Sequence, residues 1–245
     1  MSARYAIVNA DDFGRSHGIN QGVAMAHKRG VVTSASLMVR WPGAAEAAAL
    51  ARSMPRLSVG LHLDFWEWIY QGEAWEQVYT VVDEDPDAIR SESRSQLARF
   101  RSLLGRDPSH VDSHQNAHRW EPVRSVLLEL VSELRVPLRH CTGGIEYRGD
   151  YYGQTTKGEA VADALTFEAL RSVVESLAPG TSELGCHPAL VVDFESSYGA
   201  ERLVELDVLC SPRVREMFEA EDVMLVSFDQ APGGISKRRR ARVQH

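Results

Sequence analysis

Short apolar runs alternate with longer stretches of helical periodicity along almost the whole chain. The runs Tyr5–Asn9, Val31–Val39, Leu57–Leu63, His110–His114, Val136–Cys141, Ser182–Cys186 and Val223–Phe228 have the length and composition of strands. Between them lie GAAEAAALARSM (43–54), RSQLARFRSLLG (94–105), EPVRSVLLELVSEL (121–134) and TFEALRSVVESLAPG (166–180), all alanine-rich or amphipathic. Several end in glycine, the usual helix stop. Strand–helix alternation predicts parallel βαβ units. The expected fold is α/β: a distorted, incomplete (β/α) barrel of about seven parallel strands, with an open doubly wound sheet as the alternative.

Two irregular stretches interrupt this rhythm, WEWIYQGEAWEQVYTVVDEDPD (66–87) and GGIEYRGDYYGQTTKGEA (143–160), both rich in aromatic and polar residues. Each follows a strand, so in a barrel both would lie at the C-terminal face, where they either shape a site or simply cover the barrel mouth. No repeat, Gly/Ser linker or domain boundary is visible. The expectation is one domain over 1–235 and a basic, solvated tail, SKRRRARVQH, over 236–245.

Composition narrows the classes. At 245 residues with 44% hydrophobic and 25% charged, the chain has the make-up of an ordinary globular protein. Its net charge of −7 argues against nucleic-acid binding, where a basic face is expected. Cys141, Cys186 and Cys210 are odd in number and form no CxxC, which suits a reducing compartment. With no leader-like apolar stretch before Asp11 and no run of membrane-span length, a cytoplasmic protein without membrane association is expected.

The chemistry-bearing residues sit at the strand ends. Asp11 and Asp12 close the first apolar run, before Phe13-Gly14 offers a turn. In PSHVDSHQNAH, a strand over His110–His114 would put His110, Asp112 and His114 on one face, and His118 follows four residues later. A lone histidine in a core is commonly structural, but three histidines and an aspartate within nine residues are costly to bury without a use. His62 in LSVGLHLDF and His187 in ELGCHPAL are ambiguous alone. Their positions decide: a parallel barrel gathers strand ends on one face, bringing Asp11, Asp12, His62, His114 and His187 together. Such a carboxylate–histidine set suits metal-assisted hydrolysis. No G-x-G-x-x-G, P-loop or G-x-S-x-G is present, so nucleotide cofactors and serine hydrolysis are disfavoured.

Taken in order, VNADDFGRSHGINQGVAMAHKRGVVTSASLMV, VGLHLDF, PSHVDSHQNAH, ELGCHP and the closing VELDVLCSPRVREMFEAEDVMLVSF resemble the YdjC-type carbohydrate deacetylases, relatives of the NodB-like polysaccharide deacetylases. The resemblance covers nearly the whole chain and implies a β/α barrel. It further implies removal of an N-acetyl group from an amino sugar or chitooligosaccharide with one divalent metal ion, Mg²⁺ or Zn²⁺. By the same resemblance Asp12, His62 and His114 would be the metal ligands, Asp11 the general base and His187 the general acid. Two departures stand out: Asn116 replaces a histidine common in the family, and PAL follows His187 where a glycine is commoner.

Three positions carry open alternatives. Asp112 suits the orientation of a ligand histidine. His118 competes with His62 as third ligand, or serves as a neighbouring or substrate contact. Arg139 would contact substrate or, preferably, pair with an acid. The rival functions are a metal-dependent phosphoesterase and a catalytically degenerate sugar-binding protein, and the acetylated sugar itself is open. The partner expected is that sugar substrate, and a homodimer is one option for an assembly that the sequence leaves open.

Overall fold

The computed structural model describes residues 2–71, 73–194 and 196–232; the basic stretch 236–245 lies outside them. The elements run β1 (Arg4–Phe13), α1 (His17–Arg29), β2 (Ser34–Leu37), α2 (Ala44–Ser53), β3 (Ser58–Leu63), β4 (Trp66–Gln71), β5 (Ala74–Thr80), α3 (Pro86–Leu104) and β6 (Val111–Ser113). They continue with α4 (Val123–Leu134), β7 (Ile145–Arg148), α5 (Phe167–Glu175), β8 (Gly180–Cys186), α6 (Gly199–Cys210), α7 (Pro212–Ala220) and β9 (Val223–Leu225).

Local chemistry sets the helix ends. Ser16 caps α1 by accepting from the Ile19 N–H, and Thr166 caps α5 by accepting from that of Ala169. Asp85 caps α3 ahead of Pro86, and Gly105, at φ 67, closes it. β1, β2, β3 and β8 are buried almost throughout, which is why they read as continuous apolar runs rather than alternating ones.

All pairings in the main sheet are parallel, in the order β6-β3-β2-β1-β8-β7, with β9 beside the start of β1. Walking round the sheet follows the chain from β1 to β6, while the late strand β8 returns to pair with β1 along Arg4↔Gly180 to Ala10↔Cys186. That return curls the sheet into a half-barrel, the distorted and incomplete barrel expected, rather than a doubly wound sheet. Its core includes Ile7, Leu37, Leu61, Leu63 and Phe100, each essentially inaccessible to solvent.

Several boundaries differ from the sequence reading. β1 runs on to Phe13, so Asp11 and Asp12 lie within the strand rather than past its end. Val136–Cys141 is not a strand: it touches the sheet by one bridge, Val111↔Leu138, and Pro137 and the left-handed His140 (φ 61) stop it from extending. His114 is outside β6, in a short 3₁₀ turn. The two irregular stretches also hold strands. The first forms an antiparallel hairpin, β4–β5, and the second supplies the edge strand β7.

Candidate active site

The site lies at the C-terminal ends of β1, β3, β6 and β8, and its first feature is the bend in β1. Pairing between β1 and β2 shifts register between Ala10 and Phe13, and Asp12 takes a left-handed backbone at φ 62. A bulge of this kind breaks the two-face alternation of a strand, so neighbouring acids can serve one site. Aspartate tolerates that conformation better than most residues.

Strand register sets the second feature. β3 and β6 pair His62↔Asp112, and the His62 Nδ1 lies 2.7 Å from Asp112 Oδ1. Its Nε2 then points to Asp12 Oδ1 at 3.5 Å and has no hydrogen-bond partner although buried. His114 follows β6 at a sharp reversal in which Gln115 and Asn116 are both left-handed, and its Nδ1 lies 3.2 Å from the same Asp12 oxygen. Asp12, His62 and His114 thus offer three ligand atoms within 4.8 Å of one another. Asp11, His62 and Asp112 meet the same distance. Both carboxylates of that second group, however, are engaged by Arg139, and Asp112 also accepts from Ser36 Oγ at 2.6 Å.

The electrostatics call for positive charge here. Burial pushes the His62 imidazole down, but Asp112, Asp12 and Asp11 outweigh it and lift it to about 10. Burial raises the Asp12 carboxyl, yet the Arg202 charge and the two histidines hold it well below the carboxylate range. One aspartate and two imidazoles, with an unpartnered Nε2 oriented by a carboxylate on the other ring nitrogen, form a donor set that fits a divalent ion.

Asp11 is held by Arg139 through a two-pronged contact at 2.6 and 2.8 Å and by Asn9 Nδ2 at 2.8 Å. Burial works against its ionisation, but Arg139 prevails and lowers the carboxyl below its ordinary value. Arg139 itself is buried and also pairs with Asp112 and Glu183. His187 directly follows β8, with Nε2 3.9 Å from Asp11 Oδ2. Burial lowers it to about 4. Tyr152 and Tyr198 flank its ring at centroid distances of 5.2 and 5.6 Å.

His118 is not among the clustered ligand atoms; its Nδ1 meets Ser113 Oγ at 2.8 Å and burial lowers it to about 3. His110 shares the face of Asp112, both reaching Ser36 Oγ, and stacks on Phe228 at 3.7 Å. Asp11, Asp12, His62, His114 and His187 all line one cavity of about 440 Å³, walled by Trp68 and Ile69 of β4 and by Tyr147, Tyr151 and Tyr152 of the second irregular stretch. Sequence reasoning missed Glu67, which takes Arg15 beside His114 at 2.7 and 3.0 Å. It also missed Glu183, Arg202 and Glu205. Arg202 donates to Asp12 Oδ2, and Glu205 Oε2 accepts from the His187 N–H at 2.9 Å.

This half-barrel with acids and histidines at its strand ends has the fold of known carbohydrate-modifying enzymes. The Streptomyces lividans family 4 carbohydrate esterase, solved with acetate, aligns at a TM-score of 0.55 over 92% of this chain and 93% of its own, at 13% identity, a likeness of fold alone. A crystal structure from Enterococcus faecalis, provisionally named for cellobiose-phosphate cleavage, aligns at a TM-score of 0.77 and 26% identity over 93% and 98% of the two chains. The chain belongs to the YdjC-like family, whose model matches residues 5–220. It is 34% identical to a carbohydrate deacetylase of Brevibacillus brevis (91% of this chain, 98% of the relative). It is 33% identical to a chitooligosaccharide deacetylase of Serratia marcescens (91% and 97%). Among the described residues, no helix is long and apolar enough to cross a membrane.

Proposed function

We propose that this chain is a metal-dependent carbohydrate deacetylase that hydrolyses the N-acetyl group of an amino sugar of the chitooligosaccharide class, releasing acetate. The observation that carries the reading is the convergence, in one cavity, of the Asp12–His62–His114 donor set with Asp11 and His187. The names of the relatives support the substrate class.

Asp12, His62 and His114 would hold the ion, Mg²⁺ or Zn²⁺, with Asp112 fixing the His62 ring through its Nδ1. Such an ion, when bound, supplies a Lewis acid that lowers the pKa of water and offsets negative charge on the acyl oxygen. Asp11 acts as general base. Arg139 keeps its carboxylate ionised and fixes the plane of the group, so it accepts a proton from the attacking water. His187 acts as general acid. Its neutral resting state suits a relay: with Nε2 3.9 Å from Asp11 Oδ2, it can take up the proton that Asp11 acquires and give it to the departing amine. The aromatic wall of Trp68, Tyr152 and Tyr198 suits a sugar ring.

A phosphoesterase is less well supported, because Arg15 and Arg202 are already paired, with Glu67 and Asp12, and so are poorly placed to clamp a phosphate. The test is acetate release from N-acetylglucosamine oligomers by the metal-loaded protein and by Asp11→Asn. Release by the parent and loss of at least about a hundredfold in the variant is expected. Undiminished release by the variant would remove Asp11 from the reaction.

A further inference from the structure

The backbone of His187 poses an accounting question. β8 leaves the sheet ladder at Cys186, which pairs with Ala10, so the next N–H has no strand partner. A half-buried N–H still gains from one. It comes from the side: Glu205 Oε2 on α6 accepts from the His187 N–H at 2.9 Å. One turn earlier on the same helix, Arg202 Nη1 donates to the His187 carbonyl at 3.4 Å, and Nη2 donates to Asp12 Oδ2. Residues three apart on a helix share a face, which is how both reach the backbone of one residue. The Arg202 guanidinium lies over the rings of Phe194 and Tyr198, 5.6 and 5.5 Å from their centroids. The Ala189 N–H, bonded to the Arg202 carbonyl at 3.2 Å, fastens the following turn to α6 as well.

We infer that Arg202 and Glu205 are positioning residues: together they hold the two peptide groups that flank the His187 side chain and tie them to Asp12, setting the candidate acid against the candidate ion site. Neither was singled out by the sequence, and neither is needed as an acid or base. Glu205 is buried and its carboxyl raised to about 8, so near neutrality it acts as a hydrogen-bond acceptor rather than as a charge. Arg202 occupies Asp12 Oδ2, which leaves Oδ1 as the oxygen turned to His62 and His114. The inference rests on the roles proposed above for His187 and Asp12.

Three variants test it: Glu205→Ala, Glu205→Gln and Arg202→Met. Three readouts are used: amide exchange at His187, Co²⁺ affinity by calorimetry, and kinetics on two acetyl donors. N,N′-diacetylchitobiose has an amine leaving group that needs a proton, whereas 4-nitrophenyl acetate has one that does not. Glu205→Ala should speed exchange at His187 at least tenfold and lower kcat for the sugar about tenfold or more, with KM and the ester rate nearly unchanged. Glu205→Gln keeps an acceptor and should match the parent in every readout. Arg202→Met should weaken Co²⁺ binding by about ten- to a hundredfold.

Equal losses on both acetyl donors in a Glu205→Ala protein with parental exchange would overturn the inference. So would parental Co²⁺ affinity in Arg202→Met, or a tenfold kcat loss in a normally melting Glu205→Gln. If Glu205→Ala does not fold, Glu205→Gln and Arg202→Met still decide. A parent that releases no acetate from the sugar would refute the deacetylase reading instead, and exchange and Co²⁺ affinity would then judge the clamp alone.

Discussion

Three buried carboxylates, Asp11, Asp112 and Glu183, share the single guanidinium of Arg139. Even with the His62 imidazolium 2.7 Å from Asp112, two positive charges face three negative ones, and the proton needed to relieve the excess rests on Glu183. Burial, reinforced by Asp112 and Asp11, lifts its carboxyl from the ordinary 4.5 to about 7 despite the pull of Arg139. The native state therefore binds more protons than the unfolded state between those values, and stability must fall as pH rises through the window. The contribution is fully present below 4.5 and lost above about 7. At 1.36 kcal/mol for each tenfold change in proton affinity, the span from 4.5 to about 7 gives a loss of about 3 kcal/mol. Glu183→Gln keeps the shape and one acceptor for Arg139 while removing the titration. Guanidinium unfolding of both proteins, followed from pH 5 to 9, should give nearly equal stabilities at the acid end. At the alkaline end the variant should be more stable by up to about 3 kcal/mol. A flat difference across the range, or an advantage that grows as pH falls, would refute the charge count.

Two further outcomes follow from packing. A Cβ at Gly22 of α1 would come within 2.5 Å of the Ala189 Cα, so Gly22→Ala should destabilise by about 1–3 kcal/mol, although helix propensity favours alanine. Denaturant midpoints check this, and a more stable variant would contradict it. Gln115 makes two hydrogen bonds to the Trp68 backbone, so Gln115→Ala should speed amide exchange across β4 and β5 while overall stability drops by only about 1–2 kcal/mol; exchange confined to residue 115 would contradict that anchoring role.

Much of the framework was legible because burial of parallel strands on both faces produces unbroken apolar runs, as in β1, β3 and β8. β4 and β5 were not, since most of the hairpin is at least partly exposed and no clean alternation marks it. Val136–Cys141 misled in the opposite sense: Val136 and Leu138 are buried in the core while Pro137 and His140 deny the segment a ladder. At the site, aspartates and histidines at strand ends advertise themselves by residue type. Arg202 and Glu205 do not, because within GAERLVELDVLC they read as ordinary charges of an amphipathic helix, and only the docking of α6 on the barrel mouth turns them inward. The place of Asp12 depended on a left-handed residue inside a strand, which no periodicity announces.

The most direct measurement is a titration of the metal-stripped protein with Zn²⁺ and, separately, Mg²⁺, following bound ion per chain and acetate release from N,N′-diacetylchitobiose together. Release should rise from near zero and saturate at one ion per chain, and His62→Ala should lose both binding and release. Full release without added metal, or saturation only at two ions per chain, would contradict the account.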